Sequence, residues 1–246
     1  MAITIFLDDG GVLNDNEIRG QQWKIYVGEY YSSRFGGKPE IWGEANQKLI
    51  TSLFDIFWKN GIDHYKDYLN YHSEFKKNMV LGMFKGARKI PPRNLNIEEV
   101  FNSATQYVIP KVRSAIPGVI ECVNELTTKG YVLYTAAAIV SVEMKMYLEG
   151  MGIIHHFKEF YGPDLVNTWK SRPDYYRAIF KHSGVDPKKS IIIDDQPRFL
   201  ENALNAGTNI IQACITGQHE PQFPFFVKDM NDLIPTIENL IKSLNL

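Results

Sequence analysis

The chain has 246 residues, a hydrophobic fraction of 44% and a formal net charge of -1. That length suffices for one large domain or a core with an inserted module, and the near-neutral charge argues against a nucleic-acid footprint. Two cysteines, Cys122 and Cys214, give no metal-binding spacing and fit a reducing compartment. The N-terminal apolar run is too short for a signal peptide, and no stretch approaches the ~20 apolar residues of a membrane span. The expectation is a cytoplasmic protein without a membrane or nucleic-acid partner.

Ile3-Thr4-Ile5-Phe6-Leu7 is an apolar run that predicts a buried first strand, ended by Gly10-Gly11. The strand delivers Asp8 and Asp9 to its carboxyl edge, where α/β sheets place their chemistry. On these residues alone, a glycine turn with two solvated acids is an equal reading. From 16 to 109 the apolar residues recur at helical spacing, as in Leu49, Leu53, Phe57 and Trp58. Lys38-Pro39, Gly61 and Pro91-Pro92 are expected to break the helices. The segment's many aromatics, from Trp23 and Tyr26 to Tyr71 and Phe75, read first as packing.

The second half alternates strands with helices. Pro117-Gly118 opens a helix with an apolar face of Val119, Ile120, Val123 and Leu126, and Gly130 ends it. Residues 131 to 135 read as a strand, and a helix follows from Ser141, its expected N-cap, to Gly150. Residues 157 to 161 form a weaker strand pattern. Pro173 opens a helix running up to Gly184, and Ile191-Ile192-Ile193 is a buried strand ending in Asp194-Asp195. Pro197 starts a helix that stops at Gly207, before a strand at 209 to 211. This alternation predicts an α/β fold: a doubly wound, parallel, Rossmann-like sheet with right-handed crossovers. It comprises residues 1–15 and 110–246, with 16–109 inserted as a helical module.

The residues at the strand ends resemble those of the haloacid dehalogenase-like (HAD) superfamily of phosphohydrolases. Its first motif is a strand followed by Asp-x-Asp-Gly-(Thr/Val)-(Leu/Val), and residues 8 to 13 fill those places with Gly10 where the second Asp belongs. Starting the frame at Asp9 loses the match. The resemblance continues with Thr135 and Ala136 at a strand end, where the family binds the phosphoryl group. Lys170 in Lys-Ser-Arg-Pro-Asp is similar to the family's lysine motif, and Asp194-Asp195 to its metal-binding acids. Alone, Thr135 reads as an ordinary strand residue, Lys170 as a solvated lysine and the two acids as helix caps. Their common order at four strand termini carries the resemblance.

The resemblance implies a hydrolase with a helical cap and Mg²⁺ as cofactor. Asp8 would attack phosphorus, Lys170 would neutralise charge, and Asp8, Asp195, Asp194 and the Gly10 carbonyl would supply the metal's oxygens. A small phosphorylated metabolite is the expected substrate. Three positions depart from the pattern: Gly10 lacks the general acid, Ala136 replaces a frequent Asn, and Phe199 stands where an Asp or Asn often supports a metal-bound water. These departures suggest a slow or specialised member. Phosphonoacetaldehyde hydrolase-like C–P cleavage is an alternative that needs a cap lysine, for which Lys48 is placed. A non-catalytic protein binding a phosphometabolite or a partner is another. Dehalogenation is disfavoured, because paired acids signal a metal those enzymes do not use. Receiver domains are disfavoured as well, because their phosphoacceptor lies in a later strand of a shorter, uncapped chain.

Overall fold

The computed structural model describes residues 3–60 and 65–244, and the side chains of all these except residues 54–60. The chain divides into two compact units, residues 1–16 with 114–246 and residues 17–113.

The first unit is built on a parallel sheet. Its strands are β1 (Thr4–Leu7), β2 (Val132–Ala136), β3 (Phe157–Tyr161), β4 (Ser190–Asp194), β5 (Asn209–Ala213) and β6 (Phe226–Val227). They are ordered β3-β2-β1-β4-β5-β6, and every pairing is parallel. Successive strand residues face opposite sides of a sheet, and here both sides are covered. Ile5, Leu7, Leu133, Ile191 and Ile193 pack on one face with Val119, Val123, Leu126, Met144, Leu148, Ile237 and Leu240. Phe6, Tyr134 and Ile192 pack on the other with Tyr175, Tyr176, Ile179, Phe180 and Leu200. Burying each such aliphatic side chain is worth roughly 1.5–3 kcal/mol, which is why the central strands carry the apolar runs 5–7 and 191–193.

The helices of this unit are the expected α/β crossovers with adjusted ends. Pro173 lies two residues ahead of a helix that begins at Tyr175 and ends at Ser183. Ser141 is not the N-cap of the helix at Ser141–Met151. Val140 holds that position, and the carboxylate of Asp164 caps the helix from outside. Asp164 accepts from the Ser141 N–H at 2.8 Å and from its hydroxyl at 2.5 Å. A carboxylate from another element satisfies the first-turn donor, so the serine is free to sit inside the helix. Strand β6 and a helix at Leu233–Leu244 extend the core beyond the expected elements.

The second unit is helical among its described residues: α1 (Asn16–Phe35, whose first residue belongs to the sheet unit), α2 (Pro39–Asn60), α3 (Tyr68–Gly86) and α4 (Ile97–Val108). Pro39 begins α2, as suits a residue that lacks the N–H a helix start leaves unpaired. Pro91 and Pro92 fall between α3 and α4. Gly61 and the side chains of Phe57 and Trp58 lie outside the described residues. Trp42 is fully buried against Tyr31, Phe35 and Phe84, with ring centroids 5.1, 6.3 and 5.4 Å away. Its indole N–H donates to the Gly36 carbonyl at 2.9 Å, so its one polar group is satisfied. Lys48 is an exposed residue of α2. No described helix is long and apolar enough to cross a membrane.

Candidate active site

In a sheet ordered this way, the strand order reverses at the β1/β4 boundary, and the crevice beyond the carboxyl ends is the usual ligand site. Register brings the acids there. Leu7 pairs with Ile193, so the next residues, Asp8 and Asp194, leave neighbouring strands at the same level, and the Asp8 N–H donates to the Ile193 carbonyl at 3.0 Å. Thr135 pairs with Leu7 on the other side. Its buried hydroxyl lies 3.4 Å from the Tyr161 carbonyl, and Ala136 ends β2 beside it.

The turn after β1 separates the two acids at 8 and 9. Asp9 accepts from Asn14 Nδ2 at 2.6 Å, and Asn14 Oδ1 accepts from the Ser114 hydroxyl at 2.7 Å. The Asp9 carbonyl accepts from the N–H groups of Leu13 and Asn14. Asp9 therefore ties the turn together, and Asp8 is the acid presented at the sheet edge. Gly11 adopts φ +79, and a Cβ there would lie 2.5 Å from Asp195 Oδ2. Backbone conformation and close approach both demand glycine at that position.

Lys170 comes from the segment before the Tyr175–Ser183 helix and is almost wholly buried. Asn202 Nδ2 donates to the neighbouring Ser171 carbonyl at 3.2 Å, which fixes the segment. The Lys170 ammonium stands 2.6 Å from Asp8 Oδ1 and 2.6 Å from Asp194 Oδ2. Both are ion-pair contacts between buried groups. Asp194 is held further by the Tyr176 hydroxyl at 3.3 Å and the Gln196 N–H at 2.9 Å. The Phe199 ring centroid lies 5.2 Å from Lys170 Nζ, a cation–π contact that screens the ammonium.

Asp8, Asp194 and Asp195 are all buried, with ligand oxygens within 4.8 Å of one another. Three carboxylates face one ammonium. Burial, and after it the neighbouring Asp194, raise the Asp8 carboxyl to about 7 against the pull of Lys170. Burial and then the Asp8 charge raise Asp195 to about 7. Asp194 is also raised, chiefly by burial. Burial pulls the Lys170 ammonium down, but Asp194 and Asp8 outweigh it, so its pKa is raised. Asp195 Oδ2 is buried and makes no hydrogen bond, with His219 Nε2 4.0 Å away. An unbonded carboxylate oxygen inside a buried cluster of acids suits a hard divalent cation, which takes oxygen ligands and supplies the missing positive charge.

A doubly wound sheet with a lysine-bridged acid cluster at its switch point defines a hydrolase core of the HAD type. The chain belongs to the haloacid dehalogenase-like hydrolase family, whose model matches residues 45–213. No curated protein matches the sequence. Among solved structures, the HAD-hydrolase YfnB from Bacillus subtilis, bound to magnesium, is similar at TM-score 0.65 and 13% identity, covering 100% of this chain and 99% of its own. L-2-haloacid dehalogenase from Xanthobacter autotrophicus, with chloropropionic acid covalently bound, is similar at TM-score 0.62 and 14% identity over 98% and 100% of the two chains. A mutant of CbbY from Rhodobacter sphaeroides, in complex with xylulose-1,5-bisphosphate, is similar at 0.58 and 18% over 95% and 96%.

Proposed function

We propose that the protein is a Mg²⁺-dependent phosphohydrolase acting on a small phosphorylated metabolite through Asp8. The observation that carries this is Lys170 Nζ at 2.6 Å from both Asp8 and Asp194, beside the buried, unbonded Oδ2 of Asp195. Asp8, Asp195 and the Gly10 carbonyl would hold the ion, with Asp194, already committed to Lys170, Tyr176 and Gln196, orienting the cluster. The ion would neutralise phosphoryl oxygens and help align them.

The chain's own residues would supply the nucleophile and the charge neutralisation, and water would then take the phosphoryl group from Asp8, freeing its carboxylate. Asp8 is presented at the sheet edge as a carboxylate nucleophile, a covalent route open to Asp in phosphoryl transfer. Lys170 would be shared between Asp8 and the incoming phosphate, cancelling charge that would otherwise repel attack. Thr135 and Ala136 at the end of β2 would receive the phosphoryl oxygens through hydroxyl and backbone N–H. The helical unit would serve as the cap that selects the substrate. The magnesium-bound and sugar-bisphosphate-bound structural neighbours support a phosphoryl substrate. The paired acids favour it over halide displacement.

A panel of phosphometabolites, phosphonoacetaldehyde included, screened with and without Mg²⁺, tests the proposal. Phosphate release that needs Mg²⁺ and disappears in Asp8→Asn is the expected result. Release from phosphonoacetaldehyde that borohydride trapping abolishes would instead give the chemistry to a lysine such as Lys48. Metal binding with no turnover of any compound would favour a binding protein.

A further inference from the structure

The two glycines of the β1 turn are glycines for different reasons. Gly11 sits at φ +79, where a side chain is strained whatever surrounds it. Gly10 is not among the positive-φ residues, so its backbone would accept a side chain. What fills the space is Asn16: a Cβ on Gly10 would lie 2.6 Å from both Nδ2 and Oδ1 of Asn16 and 3.0 Å from its Cγ. The turn beside Asp8 therefore holds a neutral carboxamide where a side chain from position 10 would project.

Of the groups around Asp8, Asp195 would be held by the ion in the reading above, and three others are already engaged. Lys170 is clamped by Asp8 and Asp194, Asp194 is bonded to Tyr176 and Gln196, and Asp9 is bonded to Asn14. We propose, building on the phosphohydrolase reading above, that Asn16 restricts this site to phosphoryl donors whose leaving group departs without a proton, acyl phosphates being the class that fits. In the transfer step one Asp8 oxygen bonds to phosphorus as the bond from phosphorus to the leaving oxygen breaks. That oxygen keeps the electron pair. A carboxylate leaving group is stable as the anion at neutral pH, whereas an alkoxide must be protonated. A carboxamide at the turn can donate a hydrogen bond to the departing oxygen but cannot give up a proton.

The test measures kcat/KM for acetyl phosphate and for aryl phosphates from dinitrophenyl to phenyl, in Mg²⁺, for the wild type, Asp8→Asn, and the double variant Gly10→Asp with Asn16→Ala. The wild type should fall steeply along the series, by ~10² or more from the most to the least acidic leaving group, and the double variant should flatten that slope by about tenfold or more. A flat wild-type series would overturn the proposal and assign proton donation to another group, His219 being the one beside Asp195. An unchanged slope in a folded double variant would also overturn it. Turnover that is absent, or that survives Asp8→Asn, removes the phosphohydrolase reading and this inference with it.

A melting cycle independent of activity guards against misfolding of the double variant. Gly10→Ala should lower the melting temperature by about 2–4 °C, and adding Asn16→Ala should restore most of the loss. Additive shifts would show that Asn16 does not occupy the space over Gly10.

Discussion

The sheet unit and the helical unit bury opposite chemistries. At the carboxyl edge of the sheet, three carboxylates and one ammonium are withdrawn from water within a few ångströms. In the helical unit the buried centre is Trp42 with Tyr31, Phe35 and Phe84, and its charged pairs sit outside, as in Lys76 and Glu98 at 2.9 Å with the glutamate largely exposed. The aromatic centre follows from hydrophobic burial alone. The acid cluster does not: desolvating like charges costs free energy, and folds keep such groups where a ligand completes them. The contrast is why the proposed phosphoryl-transfer chemistry is assigned to the first unit.

Activity gives the largest expected effect. Asp8→Asn should reduce phosphate release by ~10³-fold or more, because an amide is a poor nucleophile, while circular dichroism stays native. Lys170→Ala should be comparably damaging to turnover, and the two losses should not add, since both disable one constellation.

Stability separates the two units next. Lys170→Met leaves Asp8 and Asp194 buried without their cation and should cost about 3–5 kcal/mol in denaturant unfolding. Trp42→Ala should cost a similar ~3–5 kcal/mol, but by leaving a cavity. Mg²⁺ should partly rescue the first and leave the second unchanged. Glu98→Ala, which removes the exposed partner of Lys76 in the helical unit, should cost less than ~1 kcal/mol.

The pH dependence sharpens the same comparison. Asp8 and Asp195 are raised in the folded protein to about 7 from an ordinary 3.8. Between those limits the unfolded chain has released these protons while the folded one keeps them. The unfolded state thus binds fewer protons, and metal-free stability falls as pH rises from about 4 to about 7. Asp8→Asn should flatten part of that slope. Mg²⁺ needs the ionised acids, so its stabilising shift in melting temperature should be larger at pH 8 than at pH 6.

Much of the sheet was legible because its signal is local: Ile191-Ile192-Ile193 and Ile5-Phe6-Leu7 are apolar on both faces, as a strand buried between helix layers requires. The preference for Asp8 over Asp9 came from motif spacing, and the structure supplies the physical reason, since Asp9 is spent on Asn14. What sequence could not show was contact across distance. Asp164 taking the cap from Ser141 joins residues 23 apart. Phe199 standing over Lys170, and Asn16 over Gly10, likewise need the folded chain. Strand β6 is two residues long, too short for any period. The helix at Leu233–Leu244 did carry a readable stripe in Leu233, Ile237 and Leu240.

The most direct test of the central claim, that the buried acid cluster is a metal-completed phosphoryl-transfer site, is phosphate release from acetyl phosphate by the wild type and Asp8→Asn across a Mg²⁺ titration. The account predicts saturable, Mg²⁺-dependent release in the wild type and none above background in the variant. Equal release by both proteins, or release indifferent to Mg²⁺, would contradict it.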